Sequence, residues 1–200
     1  MEDKQHSEGE ALFEQGKAYF LGEGCEVDYE KAFGFFKRSA ELGYPDGIRI
    51  IAQCYEEGSG VDASRDMARQ WYEKALAAAP EDEVILCNYG LFLLDDYSEE
   101  SDAKAFKLLE KGAKTGESMC INNLGLCYMN GRGVKQDQKK GYQLYKKAAK
   151  MHNYRAMLNV YVARRNGYGV RKSRLLAFHV LIKNTVTCFL NPEIVTQWKK

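Results

Sequence analysis

Six cysteines, at 25, 54, 87, 120, 127 and 188, and three histidines, His6, His152 and His179, carry the most reactive side chains of this 200-residue chain. No two cysteines have the CxxC spacing of a zinc or redox pair. Cys120 and Cys127 lie on one predicted helix, separated by about 10.5 Å of rise, too far for a disulfide. Reduced, mostly buried thiols are therefore expected. His6 sits in a polar, acidic N-terminal stretch, His152 at a predicted helix end and His179 on a predicted helix. A pair such as Cys188 with His152 could join a nucleophile to a base, but nothing in the sequence orients it. No HExxH, GxSxG or P-loop string occurs. The chain is read as a non-enzyme with no metal and no cofactor.

A Gly-x-Gly string does recur, as Gly22-Glu-Gly24-Cys25, Gly58-Ser-Gly60-Val61, Gly131-Arg-Gly133-Val134 and Gly167-Tyr-Gly169-Val170. No Gly-Lys-Ser/Thr follows it, so phosphate binding is a weak reading. Four copies at one spacing mark turns instead, where glycine supplies positive φ.

The elements around those turns repeat as well. Ala32, Ala68, Ala105, Gly141 and Ala177 are spaced by 36, 37, 36 and 36 residues. Bulky pairs follow three and four positions on: Phe35-Phe36, Trp71-Tyr72, Leu108-Leu109, Leu144-Tyr145 and Val180-Leu181. A small residue lets two helices approach, and the bulky pair fills the space one turn later. Asp28, Ser64, Ser101, Asp137 and Ser173 stand four residues before each marker and read as N-caps. Gly43 and Gly116 read as C-caps. Upstream, Gly16, Ala52, Gly90, Gly125 and Tyr161 share the centre of a first helix, with Tyr19, Tyr55, Leu93, Tyr128 and Arg164 three residues on. The fifth unit breaks the rule at both positions. The third has a polar loop, Asp95 to Ser101, in place of the glycine turn.

The string LGLCYMNGRGVKQDQKKGYQLYKKAAK, residues 124–150, and EQGKAYFLGEGCEVDYEKAFGFFKRSAELG, residues 14–43, resemble Sel1-like repeats of the tetratricopeptide superfamily. The pattern runs from residue 9 to about 188 and is strongest in units one, two and four. The resemblance implies an all-α, right-handed α/α solenoid of about five helix-turn-helix repeats, used as an adaptor surface for proteins. The expected repeats are about 9–44, 45–80, 81–117, 118–152 and 153–188, within a solenoid spanning 9–190. A flexible tail is expected over 1–8 and a short capping helix carrying Trp198 over 191–200. Some cysteine-rich members of the family are linked to β-lactam binding or hydrolysis. They resemble secreted proteins with a regular cysteine pair in each repeat, a pattern absent here, so this is a remote alternative.

Net charge is +1, yet residues 1–100 hold 9 Lys and Arg against 23 Asp and Glu, a net −14. Residues 101–200 hold 20 against 5, a net +15. The densest basic stretch, Arg132 to Lys183, includes Lys139, Lys140, Lys146, Lys147, Arg164, Arg165, Arg171, Lys172 and Arg174, with Asp137 its one acid. Three readings stand: a solvated face, a site for an acidic protein, and an electrostatic site for nucleic acid or anionic lipid. Opposed halves also allow head-to-tail self-association.

By analogy with tetratricopeptide arrays, a partner lies on the concave face lined by the first helices. The candidates are Phe13, Lys17 and Phe20; Arg49 and Gln53; Leu91 and Leu94; Asn122, Leu126 and Met129; and Arg155 and Arg165. Units three and four then offer an apolar, methionine-bearing strip with arginines at one end, suited to a peptide with apolar anchors and acidic flanks. The same leucines read equally as packing against a neighbouring helix. Asn122 and Asn123 read as grips for a peptide backbone or carboxylate, and Asn123 equally as a bond to a neighbouring turn. No run of about eighteen apolar residues spans a membrane, and the start of the chain lacks a secretory pattern. A cytoplasmic location is the expectation.

Overall fold

The structure is a computed structural model that describes residues 2–178, 180 and 182. The nine helices bounded within them are α1 (Glu2–Leu21), α2 (Tyr29–Glu41), α3 (Pro45–Glu57), α4 (Arg65–Ala78), α5 (Glu83–Leu94), α6 (Glu99–Thr115), α7 (Ser118–Asn130), α8 (Gln138–Lys150) and α9 (Tyr154–Asn166). A further helical stretch begins at Arg174. No strand occurs among the described residues. The architecture is the expected all-α array of helix-turn-helix repeats. No helix among those residues is long and apolar enough to cross a membrane. The expected capping helix over 191–200 lies outside the described residues.

The chain divides into two compact units, residues 1–85 and 86–200. In the first, α1 pairs with α2 and α3 with α4. In the second, α7 pairs with α8, which also meets α9. The division falls inside α5, the first helix of the repeat without a glycine turn.

Three hairpins are shown closing on a central glycine, as the spacing predicts. A Cβ on Gly16 would stand 2.6 Å from the Phe36 ring, one on Gly90 2.7 Å from Leu109, and one on Gly125 2.9 Å from the Tyr145 ring. Each partner is the second member of its bulky pair. Ala32, Ala68 and Ala105 are fully buried, and Gly141 and Ala177 are buried too. Burying such side chains supplies most of the stability of helices this short.

Four predicted N-caps form. Asp28 accepts from Lys31 N at 3.0 Å, Ser64 from Met67 N at 3.3 Å, Asp137 from Lys140 N at 2.9 Å and Ser173 from Leu176 N at 3.2 Å. Ser101 does not cap α6. Ser98 does, accepting from Ser101 N at 3.1 Å. The reason lies in the polar loop. Tyr97 takes a left-handed conformation at φ 52°, which reverses the chain early and starts the helix one turn sooner. Ser101 is then buried inside α6, its Oγ donating to the Asp96 carboxylate at 2.6 Å.

Residues 2–8, expected as a tail, instead form the first turns of α1. His6 meets Tyr44 edge-on at 5.3 Å, and Ser39 Oγ donates to the Gly9 carbonyl at 2.6 Å. These contacts with the α2–α3 region tie the start of the helix down. His152 occupies the position of Gly43 with φ 62°, against 80° at the glycine.

The glycine turns also stack one repeat on the next. A Cβ on Gly60 would overlap the Tyr29 carbonyl oxygen, one on Gly133 that of Asp102, and one on Gly169 that of Gln138. Those three carbonyls share one position, three residues before the marker of the preceding repeat. Each of these glycines has φ between 66° and 74°. Only a residue without a side chain meets both demands.

Candidate protein-interaction face

In the second unit the first helices stand side by side. Asn159 Nδ2 on α9 donates to Asn122 Oδ1 on α7 at 2.9 Å, and Asn122 Nδ2 donates to Asn123 Oδ1 at 3.1 Å. Asn122 and Asn123 are buried, and Asn123 Nδ2 has no hydrogen-bond partner among the described residues. Cys87 on α5 is buried close by. Its thiol is pushed far up in pKa by the neighbouring Cys120 thiol and then by burial. Both causes disfavour its thiolate form.

The structure divides the residues of these first helices by register. Leu91, Leu126 and Val162 each follow the central residue of their helix by one position. Leu91 and Leu126 are partly exposed and Val162 is 37% exposed. Leu158 is 43% exposed, and Arg155 and Arg165 are exposed. Leu94, Asn122 and Met129 are buried and offer no free surface. Met129 packs with Tyr142, Tyr145 and Val160 under the α8–α9 layer. Asn122 is committed to the asparagine chain. The open strip is therefore Leu91, Leu126, Leu158 and Val162, with the two arginines beside it.

In the first unit the corresponding side chains serve their own hairpins. Phe13 rings lie 5.6 Å from Phe36 and 5.7 Å from Tyr44, and Phe20 meets Tyr29 at 5.2 Å. Lys17 pairs with Glu14 at 3.1 Å. Arg49 bonds Asp46 at 3.0 Å and Gln53 at 3.1 Å.

The basic residues also separate. Lys140 Nζ donates to Tyr128 OH at 2.6 Å, as Lys104 does to Tyr89 OH at 2.8 Å. Both lysines precede a marker, so Lys140 belongs to the repeat architecture. Lys146 and Arg164 lie over the Tyr142 ring at 5.9 and 5.8 Å. Lys139, Lys147, Arg171, Lys172 and Arg174 are exposed.

Sequence reasoning missed one cluster. Arg132, between the glycines of its turn, hydrogen-bonds Asp102 through Nε at 2.7 Å and again through Nη2, which also reaches the Leu94 carbonyl. Its guanidinium covers the Tyr97 ring at 4.8 Å. One side chain thus holds the whole polar loop of the third repeat. The turn geometry brings it about: Gly133 rests on the Asp102 carbonyl, which sets Arg132 beside the Asp102 side chain.

No cluster of three or more His, Cys, Asp or Glu able to hold a metal occurs among the described residues. His152 is exposed, and His6 faces the Tyr44 ring. Cys188 lies outside the described residues.

The Sel1 repeat profile matches residues 9–44, 45–79, 86–116 and 118–153. Among solved structures, c5321, a protective antigen of uropathogenic Escherichia coli displaying an SLR fold, superposes with a TM-score of 0.78 at 28% identity. The match covers 88% of this chain and 38% of that one, so the chain spans well under half of that antigen's length. A Sel1 repeat protein from Oxalobacter formigenes superposes at 0.69, with 22% identity over 88% of this chain and 72% of that one. Pseudomonas aeruginosa PA5086 gives 0.53 at 18% identity, covering 78% and 58%. The two lower-identity likenesses speak to the fold alone. With four matched repeats spanning more than half of its residues, the chain belongs to the Sel1 repeat family.

Proposed function

We propose that this chain is a binding scaffold whose second unit holds an extended or helical protein segment against its first helices. Repeats of this family generally mediate protein–protein interaction and are generally non-catalytic. The observation that carries the reading here is the strip Leu91, Leu126, Leu158 and Val162, partly or largely open to solvent on α5, α7 and α9. Its counterparts in the first unit, Lys17 and Gln53, are polar. Leu91, Leu126 and Val162, at one register on the first helices, with Leu158 one turn before Val162, suit anchors spaced along a segment. Arg155 and Arg165 favour acidic residues beside those anchors.

The experiment is selection of peptides on the purified protein, followed by titration of the best binder against three variants. Leu126→Asp should weaken binding about tenfold or more, because a buried anchor then meets a charge. The Arg155→Glu/Arg165→Glu pair should cost about tenfold through lost charge complementarity. Lys139→Glu/Lys147→Glu, on α8, should change it by less than about twofold, as expected of exposed charges outside the contact. Equal affinity for wild type and Leu126→Asp rejects the strip. Loss only in the lysine variant moves the activity to the exposed basic residues and toward the electrostatic reading.

A further inference from the structure

Within the two units, the junctions between repeats one and two, three and four, and four and five carry contacts at fixed registers. The second turn glycine sits on the carbonyl three residues before the preceding marker, in the pairs Gly60–Tyr29, Gly133–Asp102 and Gly169–Gln138. At one junction the residue between the glycines, Arg132, forms an ion pair with that same position, Asp102. The residue after a marker meets the residue three past the next central position. Phe33 meets Tyr55 edge-on at 5.5 Å, Phe106 meets Tyr128 edge-on at 5.6 Å, and Tyr142 lies 5.8 Å under Arg164.

At the two ends of the described array most of these positions are exposed, while Tyr19 is half-buried between Phe35 and Lys31. Gly24 is the turn glycine of the first repeat, at φ 77°. Unlike the three internal ones, a Cβ built on it would meet nothing within 4 Å. Glu23, beside it, is exposed. Tyr19, stacked on Phe35 at 5.6 Å, holds the register of Tyr55 and Tyr128. In the last repeat, Arg174 holds the register of Asp102 and is exposed. Phe178 holds the register of Phe33 and Phe106 and is 58% exposed. Leu175 and Leu176, next to them, are 80% and 50% exposed. The charges complement each other: Glu23, Glu26 and Glu30 at one end, Arg171, Lys172 and Arg174 at the other.

We propose that the first repeat of one copy stacks on the last repeat of a second copy in the register of the internal junctions. Gly24 then rests on the Arg174 carbonyl, Glu23 pairs with the Arg174 guanidinium, and Tyr19 meets Phe178. The Glu23–Arg174 pair is the internal Arg132–Asp102 pair with its charges exchanged. Such a contact is head-to-tail, so association is open-ended rather than a closed dimer. It weakens as salt rises.

The test is sedimentation velocity on the full chain over a concentration series at low and high salt. The weight-average sedimentation coefficient should rise with concentration at low salt and flatten at high salt. Glu23→Arg alone and Arg174→Glu alone should each weaken association about tenfold through like-charge contact, and the double variant should recover it. Phe178→Glu, at an exposed position, should abolish it with the helical circular dichroism unchanged. A coefficient that stays constant with concentration overturns the proposal. That is the outcome if residues 183–200 of the same chain, or a different protein, cover this end. Single variants that associate like wild type, or a double variant that fails to recover where the singles are weakened, overturn it equally.

Discussion

Replacing Gly60 and Gly24 separately with alanine isolates what repeat stacking contributes to stability. Both glycines lie in the first unit, at φ 74° and 77°. Alanine costs about 1 kcal/mol at either from the left-handed backbone, partly offset by the stiffer unfolded chain. At Gly24 that is the whole effect, because nothing lies within 4 Å of the new Cβ. At Gly60 the Cβ would overlap the Tyr29 carbonyl and stand 3.0 Å from Glu30 N. Backbone cannot rotate away as a side chain does, so overpacking adds about 1–3 kcal/mol. Gly60→Ala should therefore lose about 2–4 kcal/mol and Gly24→Ala about 1. Gly58→Ala is a second control, with φ 75° and only an ordinary 3.4 Å contact to Ala63. The assay is urea unfolding followed by fluorescence of Trp71, on α4 in the same unit, in a Trp198→Phe background and at high salt. Equal losses at positions 24 and 60 would show that stacking on Tyr29 contributes nothing.

Three further outcomes concern Arg132 and the cysteines. Arg132→Ala should destabilise the second unit by about 2–4 kcal/mol, since it leaves a mostly buried Asp102 unpaired; Arg132→Lys should recover only part, because one ammonium cannot replace a planar fork. Hydrogen exchange at Asp95–Ser98 reads the loosened loop in both. Burial pushes the Cys54 thiol up to about 12 from 9.0, so exposed Cys25 should react with a thiol reagent in the native state while Cys54 waits for unfolding. The folded value is raised, so the neutral Cys54 thiol contributes its full stability below about pH 9 and loses it as pH rises toward about 12. Urea midpoints across that range should fall, and less steeply in Cys54→Ala.

The sequence carried the hairpins well because their determinants are local. Gly16, Gly90 and Gly125 met the bulky residues the spacing named, and Asp28, Ser64, Asp137 and Ser173 capped the helices that follow them. The register named Ser101 as the cap of α6, and the left-handed turn at Tyr97 gave that place to Ser98 instead. The interaction residues were less legible. Whether a first-helix position is open depends on the angle at which consecutive hairpins stack, which periodicity within one hairpin does not contain. So Leu126 stayed partly open while Met129, three residues on, went under α8 and α9. The degraded fifth repeat was legible only as a pair: Arg164 breaks the tyrosine rule, yet its guanidinium faces Tyr142 where aromatic rings meet elsewhere. A column of equivalent positions, rather than one repeat at a time, shows that exchange.

Hydrogen exchange of the full chain with and without a selected peptide tests the central claim most directly. The account predicts that binding protects the backbone of α7 and α9 around Leu126 and Val162 and leaves α8, carrying Lys139 and Lys147, unchanged. Protection confined to α8, or to α1 and α3 of the first unit, would contradict it.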